Sequence, residues 1–301
     1  MSSPAPIISV ILPAFNEAVV IDQVINRVKA VLDEGIDPFE ILVIDDGSQD
    51  DTALQAESAG VRVFRHPYNI GNGAAIKTGI RNARGRVLVM LDADGQHPPE
   101  MIPQLLARIG PFDMVVGART SASDSAWHRD IANWVYNRLA SYVSGTRIED
   151  LTSGFRAIKA DVARNFAYLL PNTFSYPSTI TLATVRTGRA LAYIPIQARK
   201  RVGKSKIKLL RDGLRFLMII LKIATFFSPL KIFVPVSVLM FLTGFGYGLF
   251  KVLVLGTPYG PTSAMLMTMS VVVFMVGLVA EQVALLRFDR SEHFYNESEP
   301  E

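Results

Sequence analysis

Over the first 200 residues, short uninterrupted apolar runs alternate with stretches whose apolar positions recur every three or four residues. The runs at 7–12, 41–44, 61–64, 87–91 and 114–116 predict buried strands. The stretches at 17–32, 51–59, 74–84 and 99–109 between them predict amphipathic helices. Strands that alternate with helices in this way imply an α/β domain with a doubly wound, mostly parallel sheet. In such sheets ligands lie beyond the carboxyl ends of the strands. The residues that follow each apolar run are therefore the ones to inspect for chemistry.

The pattern changes after residue 231. Residues 232–250 form 19 positions without a charge, and after Lys251 residues 252–280 give another 29. The turn signal GTPYGP at 256–261 divides this region into two spans of about 20 residues, the length needed to cross a hydrocarbon core of roughly 30 Å. The alternative, a buried helical hairpin of a soluble protein, is poorly suited to uncharged runs this long. Pro235, Gly244, Gly246 and Gly248 are tolerated in a membrane helix. The Gly244/Gly248 pair also suits a close contact between helices.

Composition narrows the field. Half the residues are hydrophobic, 19% are charged and the mean hydropathy is +0.28, which excludes an intrinsically disordered chain. The absence of cysteine excludes disulfides, thiolate metal sites and cysteine nucleophiles. With four histidines in the chain, a multi-histidine metal centre is not expected.

The net charge of +4 comes from one segment. Residues 1–198 hold 18 Lys/Arg against 20 Asp/Glu, residues 199–231 hold ten bases and the single acid Asp212, and residues 232–301 hold three bases and six acids. A basic cluster just before an apolar region favours a membrane surface over nucleic acid, which would call for Lys/Arg spread over a folded face. Ile207, Leu210, Leu214, Leu217, Met218 and Leu221 recur at helical spacing, with Lys208, Arg211 and Arg215 largely on another arc, so an interfacial amphipathic helix is expected there. The turn between the spans carries no Lys or Arg, and the basic flank therefore predicts that both termini are cytoplasmic at a cell membrane. The segment MSSPAP lacks a basic, apolar signal sequence, so the first 230 residues are expected to stay in the cytoplasm. The acidic end SEHFYNESEPE is expected to be disordered. The predicted organisation is a catalytic domain over 1–198, a basic loop and interfacial helix over 199–231, a transmembrane hairpin over 232–286 and an acidic tail over 287–301.

Three acidic strand ends converge on one rim. The first run is followed by Pro13-Ala-Phe15-Asn16-Glu17, the second by Asp45-Asp46-Gly47-Ser48 and the fourth by Asp92-Ala93-Asp94-Gly95-Gln96-His97. Bare carboxylates repel phosphate, so such a rim suits a hydroxyl-rich ligand or a divalent cation that itself holds phosphates. Asp92 and Asp94, two apart on a turn, can face one oxygen-seeking ion such as Mg²⁺ or Mn²⁺. A plainer reading makes Asp46-Gly47-Ser48 a turn and Asp50 a helix cap. Asn69 to Lys77 (NIGNGAAIK) places Ile76 where a dinucleotide fingerprint needs its third glycine, so that fingerprint fails. A glycine turn opening a helix can still assist a diphosphate. No G-x-x-x-x-G-K-[ST] loop and no convincing serine–histidine–acid pattern is present.

Jointly these pieces resemble the family 2 glycosyltransferases of GT-A fold, a Rossmann-like α/β architecture. Within that family they are similar to the polyprenyl-phosphate group, the dolichyl-phosphate mannose synthases and their undecaprenyl-phosphate glucose relatives. The resemblance rests on PAFNE (13–17), ILVIDDGSQDDT (41–52), GNGAAIKTG (71–79), LDADGQHPPE (91–100), VVGAR (115–119), DLTSGFRAIK (150–159) and VGKSKIK (202–208), in family order, followed by the hairpin. It implies that Pro13, Phe15, Glu17, Ile44 and Asp46 hold the base and ribose of a nucleotide-sugar. Phe15 is commonly tyrosine in the family, so stacking is kept and a phenol hydroxyl is lost. It further implies that Asp92, Ala93, Asp94 and Gln96 hold the metal and the sugar diphosphate, and that Arg119 binds the diphosphate. The TSGFR stretch with Ser153, together with Arg129, Lys200, Arg201 and Lys206, falls on the acceptor side. The family's arginine before the G-x-S-K element falls on Lys200 here, between Arg199 and Arg201, which leaves open which of the three takes that role.

The implied reaction is inverting, metal-dependent transfer of one sugar, from a donor of the GDP-mannose or UDP-glucose type, to polyprenyl phosphate. A phosphate acceptor is already anionic at pH 7 and requires no strong general base; the protein positions it and neutralises the leaving nucleoside diphosphate. The chain lacks the Q-x-x-R-W element of processive synthases, so polymerisation is not expected. Transfer to a lipid hydroxyl such as diacylglycerol would need a base, for which Asp150 is the obvious loop candidate. A catalytically silent membrane scaffold is the remaining alternative, against which the Asp92/Asp94/Gln96 set argues. A homo-oligomer is compatible with the two-span architecture. The sugar, the base, and undecaprenyl against dolichyl are not written in the residues.

Overall fold

The computed structural model describes residues 7–35, 37–120, 127–172, 176–197, 225 and 227–296, and the side chains of all of these except 127–133 and 287–296. Within them the apolar runs become strands β1 (Ile8–Ala14), β2 (Phe39–Asp45), β3 (Arg62–Arg65), β4 (Val87–Met90) and β5 (Met114–Arg119). The intervening stretches become helices α1 (Ile21–Asp33), α2 (Thr52–Ser58), α3 (Asn72–Asn82) and α4 (Ile102–Leu106), the last entered through a 3₁₀ turn at Pro99–Met101. Residues 17–20, expected to open α1, form a turn in which the Glu17 carbonyl accepts from the Val20 and Ile21 amides.

The domain then adds α5 (Trp127–Ser144), β6 (Arg156–Lys159), α6 (Ala160–Phe166), α7 (Tyr176–Arg186) and β7 (Leu191–Ile196). The seven strands among the described residues are ordered β3-β2-β1-β4-β6-β5-β7. All pairings are parallel except those of β6, which runs antiparallel to both β4 and β5. Arg156 at its start is flanked by Met90 on one side and Val116 on the other. The entry to β6 therefore lies at the same rim as the carboxyl ends of the parallel strands. That reversal brings a loop in between β4 and β5.

Both faces of the sheet are covered. Val10 and Leu12 of β1 pack in one cluster with Ile21, Val24, Ile25 and Val28 of α1, and the central strand is fully buried along its length. Ile11 meets α3 on the other face, where Gly79 has no side chain: a Cβ there would lie 2.3 Å from Ile11 Cγ2. A strand buried on both sides needs an unbroken apolar run, which is the pattern seen in the sequence.

The described residues fall into two compact units, divided near residue 207, with the short segment 142–145 grouped with the second. The second unit contains α8 (Leu230–Leu253) and α9 (Pro261–Asn296). Leu230–Leu253 and Pro261–Leu286 are long and apolar enough to cross a membrane, with mean hydropathies of 1.8 and 2.2. The two helices meet closely at glycines. A Cβ at Gly244 would lie 2.8 Å from Leu266 Cβ, and one at Gly277 would lie 2.5 Å from Phe233 Cβ. Glu281 of α9 accepts the Leu230 amide at 3.2 Å, one of the N–H groups at the start of α8 that have no partner within the helix.

One expectation is corrected here. The expectation of disorder over 291–301 does not hold for 291–296, through which α9 continues, while 297–301 lie outside the described residues. No proline or glycine interrupts residues 278–296, so nothing stops a helix already nucleated by the span. The basic loop and interfacial helix expected over 199–231 lie outside the described residues up to 224.

Gly79→Ala should lower stability by about 1–3 kcal/mol, because the added methyl displaces a core isoleucine on the central strand. Thermal unfolding of the full chain in detergent checks this. Gly246→Ala, where a Cβ meets nothing within 4 Å, is expected to leave the melting temperature unchanged or raise it.

Candidate active site

The rim is built first by lacing the ends of β1 and β2 together. The Asn16 amide donates to Ser48 Oγ at 2.9 Å, and Asn16 Oδ1 accepts the Gln49 amide at 2.9 Å. Asn16 takes a positive φ of 56° to make both. The Glu17 amide donates to Thr52 Oγ1, and the Ala18 amide to Asp50 Oδ2. Asp50 also accepts the Thr52 amide and hydroxyl. Slight burial opposes its ionisation, but the Thr52 hydroxyl and the two amides outweigh that and hold its pKa below the usual range. The N-cap of α2 is Asp51 and not Asp50, so Asp50 is not the helix cap of the plainer reading but an anchor one residue before it, joining the 16–18 turn to Thr52.

This lacing leaves Phe15 exposed at the end of β1 (42%), open to a flat ligand. Pro13 and Ile44 are paired in the sheet and buried, so any contact they make to a nucleotide goes through the backbone. Glu17 is half-buried beside Phe15.

Asp46 is engaged within the protein. Its side chain is 4% exposed, with Oδ1 2.7 Å from His66 Nδ1. Oδ1 also accepts the Ile70 amide at 3.0 Å, and Oδ2 the Gly71 amide at 2.7 Å. His66 Nε2 in turn lies 2.9 Å from Thr78 Oγ1 on α3. Asp46 therefore ties β2 to the glycine turn that opens α3, where Gly71 has φ 125°. His66 carries no local signal in the sequence that would have paired it with an aspartate twenty residues away.

At the end of β4 the acidic residues are less buried. Asp94 Oδ1 accepts the Gln96 amide at 3.1 Å, and Gly95 turns the chain at φ 73°. The Asp92 side chain is one-third exposed, and Oδ2 lies 3.9 Å from His97 Nδ1, beyond hydrogen-bond range. Gly154 faces it across the rim: a Cβ there would lie 2.9 Å from Asp92 Oδ2 and 3.3 Å from Tyr176 Oη. Burial, then the neighbouring Asp92 charge, raise the Tyr176 pKa, so the phenol remains a proton donor. Ala93 is buried beneath the turn.

The loop entering β6 supplies the other half. Asp150 pairs with Arg119 through Nε at 2.8 Å and Nη2 at 2.9 Å. It also accepts the amides of Arg119, Thr152 and Ser153, while Arg119 Nη2 donates to Thr152 Oγ1. Burial opposes the Asp150 charge, but the Arg119 guanidinium and these amides overcome it, and the pKa is lowered. Ser153 is buried, its hydroxyl without a hydrogen-bond partner among the described residues. Arg156 is fully buried. It donates to the Ser153 carbonyl, and to the Pro177 carbonyl and Thr181 hydroxyl at 3.0 Å each. Burial lowers its pKa against the opposing influence of Tyr176, Tyr193, Asp150 and Asp92. Of the TSGFR stretch, Arg156 therefore faces the interior, not a ligand.

The sheet thus brings Phe15, Glu17, Asp46, Asp92, Asp94, Gln96, Arg119 and Ser153 to one rim. Lys200, Arg201 and Lys206 lie outside the described residues, as does the side chain of Arg129 on α5. Among the described residues no group of three or more His, Asp or Glu comes together as a metal cage. Two carboxylates and an amide on one turn still fit a hard divalent cation whose remaining ligands are waters and substrate phosphates. Gly154 leaves the space beside Asp92 that a side chain would fill.

The sequence model of "Glycosyl transferase family 2" matches residues 9–166, and that of "GtrB C-terminal hairpin" matches residues 228–286. Among solved structures, the chain is similar to glucosyl-3-phosphoglycerate synthase from Mycobacterium tuberculosis in complex with Mn²⁺, uridine diphosphate and phosphoglyceric acid. The TM-score is 0.58 at 23% identity, covering 73% of this chain and 78% of that one. The same synthase with Mn²⁺ and UDP-glucose gives 0.55 at 22%, covering 71% and 79%. A further mycobacterial protein gives 0.56 at 23%, covering 71% and 74%. At these identities the likeness shows the fold.

Folding lowers the Asp150 pKa, so its pairing stabilises the chain above the carboxyl's unfolded value of about 3.9 and is lost as pH falls through the lower folded value. Asp150→Asn carries no charge at any pH. The difference in melting temperature between wild type and Asp150→Asn should be largest near neutral pH and shrink below about pH 4. A gap that does not change with pH would show that the ion pair contributes nothing.

Proposed function

The chain belongs to glycosyl transferase family 2, and from that membership we propose that it transfers a single sugar from a nucleotide-sugar to polyprenyl phosphate at the cytoplasmic membrane face. The observation that carries this reading is the Asp92–Asp94 turn at the end of β4, in a family 2 domain that is followed by a hairpin of two apolar helices. The match to the GtrB hairpin supports a lipid-borne acceptor. The UDP-glucose complexes of the similar synthase support a nucleoside diphosphate-sugar donor.

In this reading Phe15 stacks the base, and the laced 14–18 and 46–52 loops fix the floor on which the base and ribose rest. Asp46 acts by holding the glycine turn before α3. Asp92 and Asp94, with Gln96, would hold Mg²⁺ or Mn²⁺, which when bound neutralises the donor diphosphate as it leaves. Arg119, pinned as a planar fork by Asp150, presents its guanidinium toward the same charge. Tyr176 keeps its proton beside Asp92.

The acceptor phosphate attacks the anomeric carbon directly, which inverts it and needs no base. Asp150 supports this choice. Its lowered pKa and bidentate pairing with Arg119 make it a poor proton acceptor, whereas transfer to a lipid hydroxyl would require one. Lys200, Arg201 and Lys206 are the residues proposed to capture the acceptor phosphate.

Mass spectrometry of lipid products, after polyprenyl phosphate and a panel of nucleotide-sugars are offered to the purified full chain, tests the reaction. The expected product carries one hexose on the lipid phosphate, and Asp94→Asn should reduce its formation on the order of a hundredfold. A glycosylated diacylglycerol in its place would overturn the acceptor assignment. Topology is checked separately. The chain has no native cysteine, so a cysteine at Thr257 should be labelled by an impermeant reagent from outside intact cells and one at Ser291 should not. External labelling at Ser291 would overturn the assigned orientation.

A further inference from the structure

We propose that His97 is a positioning residue for the proposed cation turn: its ring accepts the Asp92 amide and thereby sets the backbone from which Asp92 and Asp94 project. The inference rests on the reading that these two carboxylates hold a divalent cation. It concerns a residue for which that reading assigns no role.

The β1–β4 ladder reaches the Leu91 amide, which donates to the Ile11 carbonyl at 3.3 Å. The next amide, that of Asp92, lies beyond the ladder at a part-buried position, where an N–H withdrawn from water gains from another acceptor. His97 Nδ1 supplies it at 3.2 Å. An N–H can donate only to an unprotonated ring nitrogen, so this bond requires the tautomer with its proton on Nε2. A second bond closes the same turn, from the Gln96 amide to Asp94 Oδ1. The turn is therefore held at both ends by its own side chains.

The ring is fixed from behind. His97 is 7% exposed and stacks on Phe155, with centroids 5.5 Å apart and planes inclined by 19°. Phe155 is fully buried and has room because Gly117 of β5 carries no side chain; a Cβ there would lie 2.9 Å from Phe155 Cδ1. The Phe155 carbonyl accepts the Gly117 amide. A chain of contacts thus runs from β5 through Phe155 and His97 to the Asp92 backbone. The same ring stays out of hydrogen-bond range of the Asp92 carboxylate, leaving that group to a ligand.

Two functions of the ring can be separated, because different substitutions keep each one. His97→Asn places an amide oxygen close to the Nδ1 position and keeps the acceptor while losing the ring. His97→Phe keeps the stacked ring and loses the acceptor. His97→Gln is a second acceptor-deficient variant, since its amide reaches toward the Nε2 position.

The readout is the apparent Kd for Mn²⁺ in the presence of UDP, measured by electron paramagnetic resonance of free Mn²⁺ on the full chain in detergent. His97→Phe and His97→Gln are expected to raise that Kd about tenfold or more, the range seen when an outer-shell partner is lost. His97→Asn is expected to stay within about threefold of wild type. If His97→Phe binds Mn²⁺ like wild type, the ring acts through packing, and if His97→Asn is as impaired as His97→Phe, an acceptor at this position does not set the turn; either result overturns the proposal. Asp94→Asn serves as the companion variant. Its failure to weaken Mn²⁺ binding would overturn the cation assignment, and this proposal with it. Weakened binding in Asp94→Asn beside unchanged binding in His97→Phe and His97→Gln would overturn the proposal alone.

Discussion

Gathering carboxylates at the ends of adjacent parallel strands sets like charges against one another. The rim depends on how each charge is answered. Asp46 has two amides and His66. Asp50 has the amides of Ala18 and Thr52 with the Thr52 hydroxyl. Asp150 has Arg119 and three amides. These three carboxylates are thus engaged in holding loops of the scaffold. Asp92 is one-third exposed, and Asp94 Oδ1 accepts the Gln96 amide. The rim is therefore graded in burial, from the Asp46 side chain at 4% exposure at β2 to the Asp92 side chain at 33% at β4. A cation that itself holds phosphates is the ligand such a gradient suits.

The reversal of β6 makes the second half of the rim. A wholly parallel sheet would carry the chain away from this rim between β4 and β5. Because β6 enters here, Asp150, Thr152, Ser153 and Gly154 stand between the ends of those two strands. Gly154 then gives Asp92 its space, Asp150 orients Arg119, and the buried Arg156 ties the loop to α7 through the Pro177 carbonyl and Thr181. Arg156 has no carboxylate within ion-pair range among the described residues, yet it lies in the field of both Asp92 and Asp150. Its charge balances the acids from beneath without occupying either.

The parts legible in the sequence are those whose physics is local. β1, β2 and the two long apolar helices announce themselves because burial on both faces demands a continuous apolar run, and each helix is long and apolar enough to cross a membrane. The Asp92–Asp94 turn is visible because it closes such a run. β6 was not, since RAIK is four residues with a charge at each end, and its buried Arg156 reads as a surface group. β7 (LAYIPI) is apolar but alternates in burial, and only its pairing with β5 decides its place. The pairings of Asp150 with Arg119 and Asp46 with His66 span 31 and 20 residues. No spacing rule reaches that far. Asp46 and Arg119 were legible as important residues, while the way each is used was set by partners that only the fold supplies.

The treatment of Asp150 bears most directly on the choice of acceptor. A carboxylate that is to take a proton from a hydroxyl needs a pKa raised toward the working pH and a lone pair directed at the substrate. Asp150 has the opposite: burial would raise its pKa, but the guanidinium and amides of its own loop reverse that, and they occupy both oxygens. Asp50 is likewise lowered and committed to its loop. Tyr176 holds its proton too firmly to serve as a base. A nucleophile that arrives already ionised makes no demand on any of them, and a lipid phosphate is such a nucleophile. The chemistry at the rim and the apolar hairpin further along the chain thus favour the same class of acceptor for independent reasons, one from proton accounting and the other from hydrophobicity.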